Sequence, residues 1–167
     1  YPGDGGAWVS LLMNHTVLRP GEALYLPAGN LHAYLHGFGV ELMAASDNVL
    51  RGGCTVKHID IPELLAVVNF APMPVEKLLP VAASGGWQKY VTSAVEFELR
   101  WKADGVPVRW TPHCDEILLS GAGGISVSTA SGQPHQVGAG ESILVQPRDG
   151  EITVAAEGAA FLATAPA

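Results

Sequence analysis

The spacing of apolar and polar positions changes character twice along this chain. Residues 1–16 open in a Gly-rich turn, and the apolar run Trp8–Met13 that follows fits either a short helix or a buried strand. The segment LRPGEALYLPAG sets turns at Pro20-Gly21 and Pro27-Ala28-Gly29 around a predicted strand, Ala23–Leu26. HAYLHGFGVELMAAS then predicts two strands about Gly37–Gly39. The period shifts at DIPELLAVVNF. Asp60 is placed to cap a helix, Pro62 sits in its first turn, and Glu63 completes a capping box. Leu64, Leu65, Val67 and Val68 form the apolar face of a helix predicted from Asp60 to Phe70. APMPVEKLLPVAASGG reads as a Pro-punctuated connector. From Trp87 onward strands return: Tyr90–Leu99, Pro107–Trp110, Ile117–Leu119, Gly124–Thr129, Ser142–Gln146, Ile152–Ala155 and Ala160–Thr164. Short strands at even spacing with Gly turns between them predict a sandwich or jelly-roll barrel.

A faint repeat supports two related units. LRPGEALYLPAG resembles VGAGESILVQPRDG, matching Gly21-Glu22 to Gly140-Glu141 at an offset of about 119 residues. The expected fold is mainly β, with two related jelly-roll barrels, the first truncated on its N-terminal side, and one helix in the connector. The expected division is 1–60 for the C-terminal part of the first barrel, 61–86 for helix and connector, and 87–167 for a second, degenerate β-domain that packs against the first.

Composition narrows the class. The 167 residues, 48% hydrophobic and 15% charged, suit a globular domain rather than a disordered chain. A net charge of -7 with no basic run argues against nucleic acid or an anionic membrane as partner. The exception is a local cluster of Arg51, Lys57 and His58, which suits an anionic ligand. Two isolated cysteines, Cys54 and Cys114, point to a reducing, cytoplasmic setting. No apolar stretch is long enough for a membrane helix, and no signal peptide is evident. Tyr1-Pro2-Gly3-Asp4 reads like the middle of a loop, so the chain is expected to be a fragment.

The candidate chemistry begins after Gly29. In a strand, His32, Tyr34 and His36 share one face, and an imidazole held on a rigid strand inside a barrel is well placed to ligate a metal. The spacing Gly21, Pro27, Gly29, His32 resembles the second cupin motif, although His36 stands where that pattern has Asn. The longer run from NHTVLRPGEALYLPAGNLHAYLHGFG through VELMAASDNVLRGGCTVKHIDIPELL resembles the type I phosphomannose isomerases, and residues 87–167 resemble the C-terminal β-domain of that family more loosely.

That resemblance implies a zinc enzyme interconverting mannose 6-phosphate and fructose 6-phosphate, with a sugar phosphate as its partner; a monomer is the expectation, though the sequence does not fix the oligomeric state. It implies His32 as one of four zinc ligands, the other three lying upstream. It also places Glu41, Asp47 and Arg51 as catalytic groups, and Tyr34 and Lys57 as substrate-binding groups. With one ligand of four, this chain is expected to hold zinc weakly or not at all, and to be inactive alone. Bland alternatives accompany each residue: Glu41 pairing structurally with Arg51, Lys57 solvated, Asp47-Asn48 a turn. A non-enzymatic cupin-like sugar- or metal-binding module is the alternative reading. A two-barrel oxygenase fares worse, since neither barrel shows His-x-His. In the second barrel, WTPHCDEILLSGAG offers His113, Cys114, Asp115 and Glu116, but strand alternation is expected to keep His113 and Cys114 off one metal. His135 is read as part of a polar turn.

Overall fold

The computed structural model describes residues 1–46, 49–103, 105–130 and 132–166. The chain is mainly β and divides into two units. One comprises residues 1–19, 24–41 and 45–77; the other comprises 20–23, 42–44 and 78–167.

Among the described residues, the strands all lie in the second unit. β1 (Val81–Ala82), β2 (Gln88–Lys89), β3 (Glu98–Lys102), β5 (Glu116–Ser120), β8 (Ser142–Val145) and β10 (Ala160–Thr164) form a six-stranded sheet in the order β1-β2-β3-β10-β5-β8. β4 (Val108–Trp110), β6 (Ile125–Thr129), β7 (His135–Val137) and β9 (Ile152–Ala156) form a second sheet in the order β4-β9-β6-β7. Every pairing is antiparallel. Alternate residues point inward, as the pleat requires: Ile152, Val154 and Ala156 on β9, Ala160 and Leu162 on β10, Leu118 on β5, Ile125 and Val127 on β6. Trp87 and Trp110 meet edge to face inside this core at 5.3 Å. The same alternation carries Glu116, Ser120 and Thr164 inward.

Most strands expected beyond Trp87 are present, shifted by a residue or two. Two differ. The run expected at Tyr90–Leu99 pairs only from Glu98, and His135 lies on β7, where a turn was expected. β7 is short and its first two residues are exposed, so it carries almost no alternation to read.

The first unit has two helices where one was expected. α1 (Gly5–Ser10) is capped by Asp4, whose Oδ1 accepts from the Gly6 amide at 2.7 Å. α2 (Ile61–Val67) begins as its sequence dictates, with Asp60 Oδ1 accepting from the Glu63 amide at 3.1 Å. It ends three residues before Phe70. The strands expected at Ala23–Leu26 and on either side of Gly37–Gly39 form no ladder among the described residues. Only Ala23 pairs, in an isolated bridge to Leu78 within the second unit. A strand needs a neighbour for its amides and carbonyls along its length, and among the described residues these segments have none beyond that single bridge. No helix among the described residues is long and apolar enough to cross a membrane.

Candidate functional site

His32, Tyr34 and Glu41 come together in the first unit. His32 Nδ1 lies 3.2 Å from the Asn30 carbonyl. With its proton there, the lone pair sits on Nε2, which is 3.6 Å from Glu41 Oε1. A backbone carbonyl that fixes the tautomer of an imidazole is the usual support of a metal-ligating histidine. The rings of His32 and Tyr34 meet edge to face at 5.9 Å, so the two do share a side although no strand forms. The Tyr34 phenol is held above its ordinary range by burial, then by its hydrogen bond to Glu41 and that carboxylate's charge. Both side chains of the His32–Glu41 pair are exposed by more than two-fifths, so water screens any charge interaction between them.

Glu41 thus faces His32 and Tyr34. Among the described residues no hydrogen bond or ion pair joins it to Arg51, which is half-buried. Lys57 is exposed, and its backbone amide donates to Thr55 Oγ1 at 3.1 Å. Asp47 lies outside the described residues.

The loop that carries Arg51 has an anchor the sequence reading missed. Asp4 accepts from Gly6 through Oδ1 and from the Cys54 amide through Oδ2 at 2.9 Å. Gly6 and Gly53 approach so closely that a Cβ on Gly53 would meet Gly6 Cα at 2.6 Å. Asp followed by Gly-Gly is a visible cap signal, but its second partner, fifty residues on, is not visible locally.

In the second unit the structure corrects the expectation about His113 and Cys114. Both precede β5 in an irregular bend, where strand alternation does not apply. Donor atoms of His113, Cys114 and Glu116 all lie within 4.8 Å of one another. Asp115 turns away and accepts from Gln146 Nε2 at 3.0 Å. Two cavities of this unit offer no cation for a sugar phosphate. One, of about 190 Å³, lies among β6, β7 and β8 beside His135 and Asp149; the other, of about 360 Å³, is bordered by Gly123, Gly124 and Glu157. Neither has a lysine or arginine among its described lining residues.

About half of the chain matches known proteins closely. The mannose-6-phosphate isomerase of Salmonella typhimurium is 52% identical over 86 residues, 52% of this chain and 22% of that protein. The chain resembles the mannose-6-phosphate isomerases. The isomerase of Escherichia coli is 54% identical over 79 residues, which are 47% of this chain and 20% of that protein; the Bos taurus isomerase is 46% identical over 85, which are 50% and 20%. These matches span about a fifth of each isomerase's own length. A crystal structure of the S. typhimurium isomerase bound to fructose 6-phosphate and zinc superposes with a TM-score of 0.61 at 26% identity, covering 75% of this chain and 32% of that one. No protein-family model matches the chain.

Proposed function

We propose that this chain is the C-terminal part of a zinc-dependent isomerase that interconverts mannose 6-phosphate and fructose 6-phosphate in the cytoplasm. The observation that carries the reading is the local geometry at His32: Nδ1 tied to Asn30, Nε2 turned to Glu41, and Tyr34 against both. About half of the chain matches known mannose-6-phosphate isomerases at about half identity, which supports the reading.

His32 is fit to hold zinc through Nε2, together with ligands that this chain does not supply. Bound there, the ion supplies Lewis acidity to the sugar oxygens. The other roles belong to side chains. Aldose–ketose isomerisation moves a proton between C1 and C2 and develops negative charge on the oxygens. Glu41, beside the metal ligand, is a carboxylate able to take or relay that proton, as is Asp47. Tyr34 can hydrogen-bond a sugar hydroxyl. Arg51 offers a permanent charge to the developing oxyanion, and Lys57 suits the phosphate. With one ligand of the set, residues 1–167 alone hold zinc weakly at His32 and do not turn over.

The test is a coupled assay for fructose 6-phosphate on the whole protein that contains this chain and on residues 1–167 alone. Activity lost on chelation and restored by zinc is expected for the former, and none for the latter. In the whole protein, Arg51→Ala should lower kcat roughly a hundredfold with zinc content and melting temperature unchanged. A raised KM at unchanged kcat would make Arg51 a phosphate anchor. A folded, zinc-loaded protein without isomerase activity would overturn the reading in favour of a cupin-like binding module.

A further inference from the structure

We propose that His113, Cys114 and Glu116 form a binding site for a thiophilic divalent cation, zinc by the chemistry of its donors, at the mouth of the β-sandwich. Glu116 opens β5 and has no exposed surface. Its neighbours are uncharged donors: Trp110 Nε1 donates to Oε2 at 2.7 Å, and the Thr164 hydroxyl donates to Oε1 at 2.6 Å. The third neighbour is His113, with Nδ1 at 3.6 Å from Oε1. A carboxylate this deep, with no lysine or arginine paired to it among the described residues, is costly. Interior charges are paired or coordinate a metal.

The surrounding groups have the form such a site takes. His113 Nε2 lies 3.1 Å from the Ala165 carbonyl. Donating its proton there leaves the lone pair on Nδ1, turned toward Glu116, so an outer carbonyl orients the imidazole. Cys114 Sγ lies 3.6 Å from Thr164 Oγ1, on the same side. Sulfur, imidazole nitrogen and carboxylate oxygen together suit zinc better than magnesium or calcium. Zinc bonds of roughly 2.0–2.3 Å set tetrahedral ligand atoms about 3.3–3.7 Å apart. The His113–Glu116 pair is already at that spacing. The widest pair, within 4.8 Å, closes by about 1 Å of movement of the half-exposed Cys114 side chain.

Charge also closes. A dication, one thiolate, one carboxylate and a neutral imidazole sum to zero. Binding releases the Cys114 thiol proton to solvent. Oε1 has a second lone pair, so Thr164 and Trp110 keep their hydrogen bonds. The exposed side of His113 leaves the fourth position to water. The ion would pin the bend at His113 and Cys114 to the first residue of β5.

Cobalt(II) is the probe, because a cobalt–thiolate bond gives a near-ultraviolet charge-transfer band that nitrogen and oxygen ligands do not. The chain carries Cys54→Ser to remove the exposed thiol. One equivalent of cobalt is expected to raise the band, and zinc to displace it. Cys114→Ser should abolish the band and His113→Ala should weaken binding at least tenfold, while His32→Ala leaves it unchanged. Both substituted side chains lie at the surface or partly so, and circular dichroism should show the fold intact. Zinc should also slow alkylation of Cys114 at least tenfold. Absence of the band at a large excess of cobalt, its survival in Cys114→Ser, or its loss in His32→Ala would each overturn the proposal. None of these outcomes bears on isomerase activity.

Discussion

Glu98 shows how one side chain sets the charge balance of a strand pair. Lys89 and Arg100 stand directly opposite each other on β2 and β3, where like charges repel. Glu98 bridges them, with Oε2 accepting from Lys89 Nζ and Oε1 from Arg100 Nε, both at 2.7 Å. Burial pushes its carboxyl up, but the two cations outweigh burial and the net shift is downward. A carboxyl lowered in the folded state stabilises above its unfolded value of about 4.3 and loses that contribution as pH falls through the folded value. Glu98→Gln should therefore melt below the parent protein at neutral pH, and the gap should close as pH falls below about 4. Thermal melts of both proteins across that range read it directly; a gap independent of pH would show that Glu98 acts by packing alone. None of this was legible in the sequence, because the meeting of Lys89 with Arg100 depends on strand register. Asp4 is a parallel case, its cap readable and its hold on Cys54 not.

At the scale of elements, the two similar segments LRPGEALYLPAG and VGAGESILVQPRDG share their turn chemistry but not their secondary structure. Gly21 and Gly140 both adopt positive φ, +85° and +80°, as their place in the repeat suggests. After Gly140 the chain enters β8, because β5 lies alongside it. After Gly21 only Ala23 is paired. Turn residues thus fix where the chain bends, and a neighbour decides whether a strand follows. The same distinction separates two glycines of equal backbone type. Gly140 has open space where a Cβ would go, whereas a Cβ on Gly85, at φ +69°, would lie 2.3 Å from the Arg109 carbonyl oxygen of β4. Gly140→Ala should cost about 1–2 kcal/mol for the left-handed backbone. Gly85→Ala should cost a further 1–3 kcal/mol or so for the collision. Urea unfolding of the two variants compares them, and equal losses would show that the β4 backbone yields.

Over the whole molecule the buried apolar side chains belong to one unit. The core runs from Trp87 to Leu162, while Trp8, Leu12, Leu35, Phe38, Val56 and Phe70 of the first unit are each at least 74% exposed. Local opening is cheapest where few apolar contacts are buried. Limited proteolysis should therefore cut within residues 1–77 first and leave a resistant fragment reaching from about Leu78 to the C-terminus. Mass spectrometry of the products identifies it, and equal rates of cleavage in both units would contradict the assignment of the core. The sequence by itself determined the β class, the cap of α2 at Asp60 and most strands from Pro107 onward, because side-chain alternation and capping act over a few residues. It also marked His32, Tyr34 and Glu41, through a run of motif residues. Only the tertiary structure decided that Glu41 faces His32, that the segments around Gly37 stay unpaired, and that His113 and Cys114 converge on Glu116. Each of these depends on which distant segment supplies the opposing hydrogen bond or charge, and that choice is made by packing rather than by local pattern.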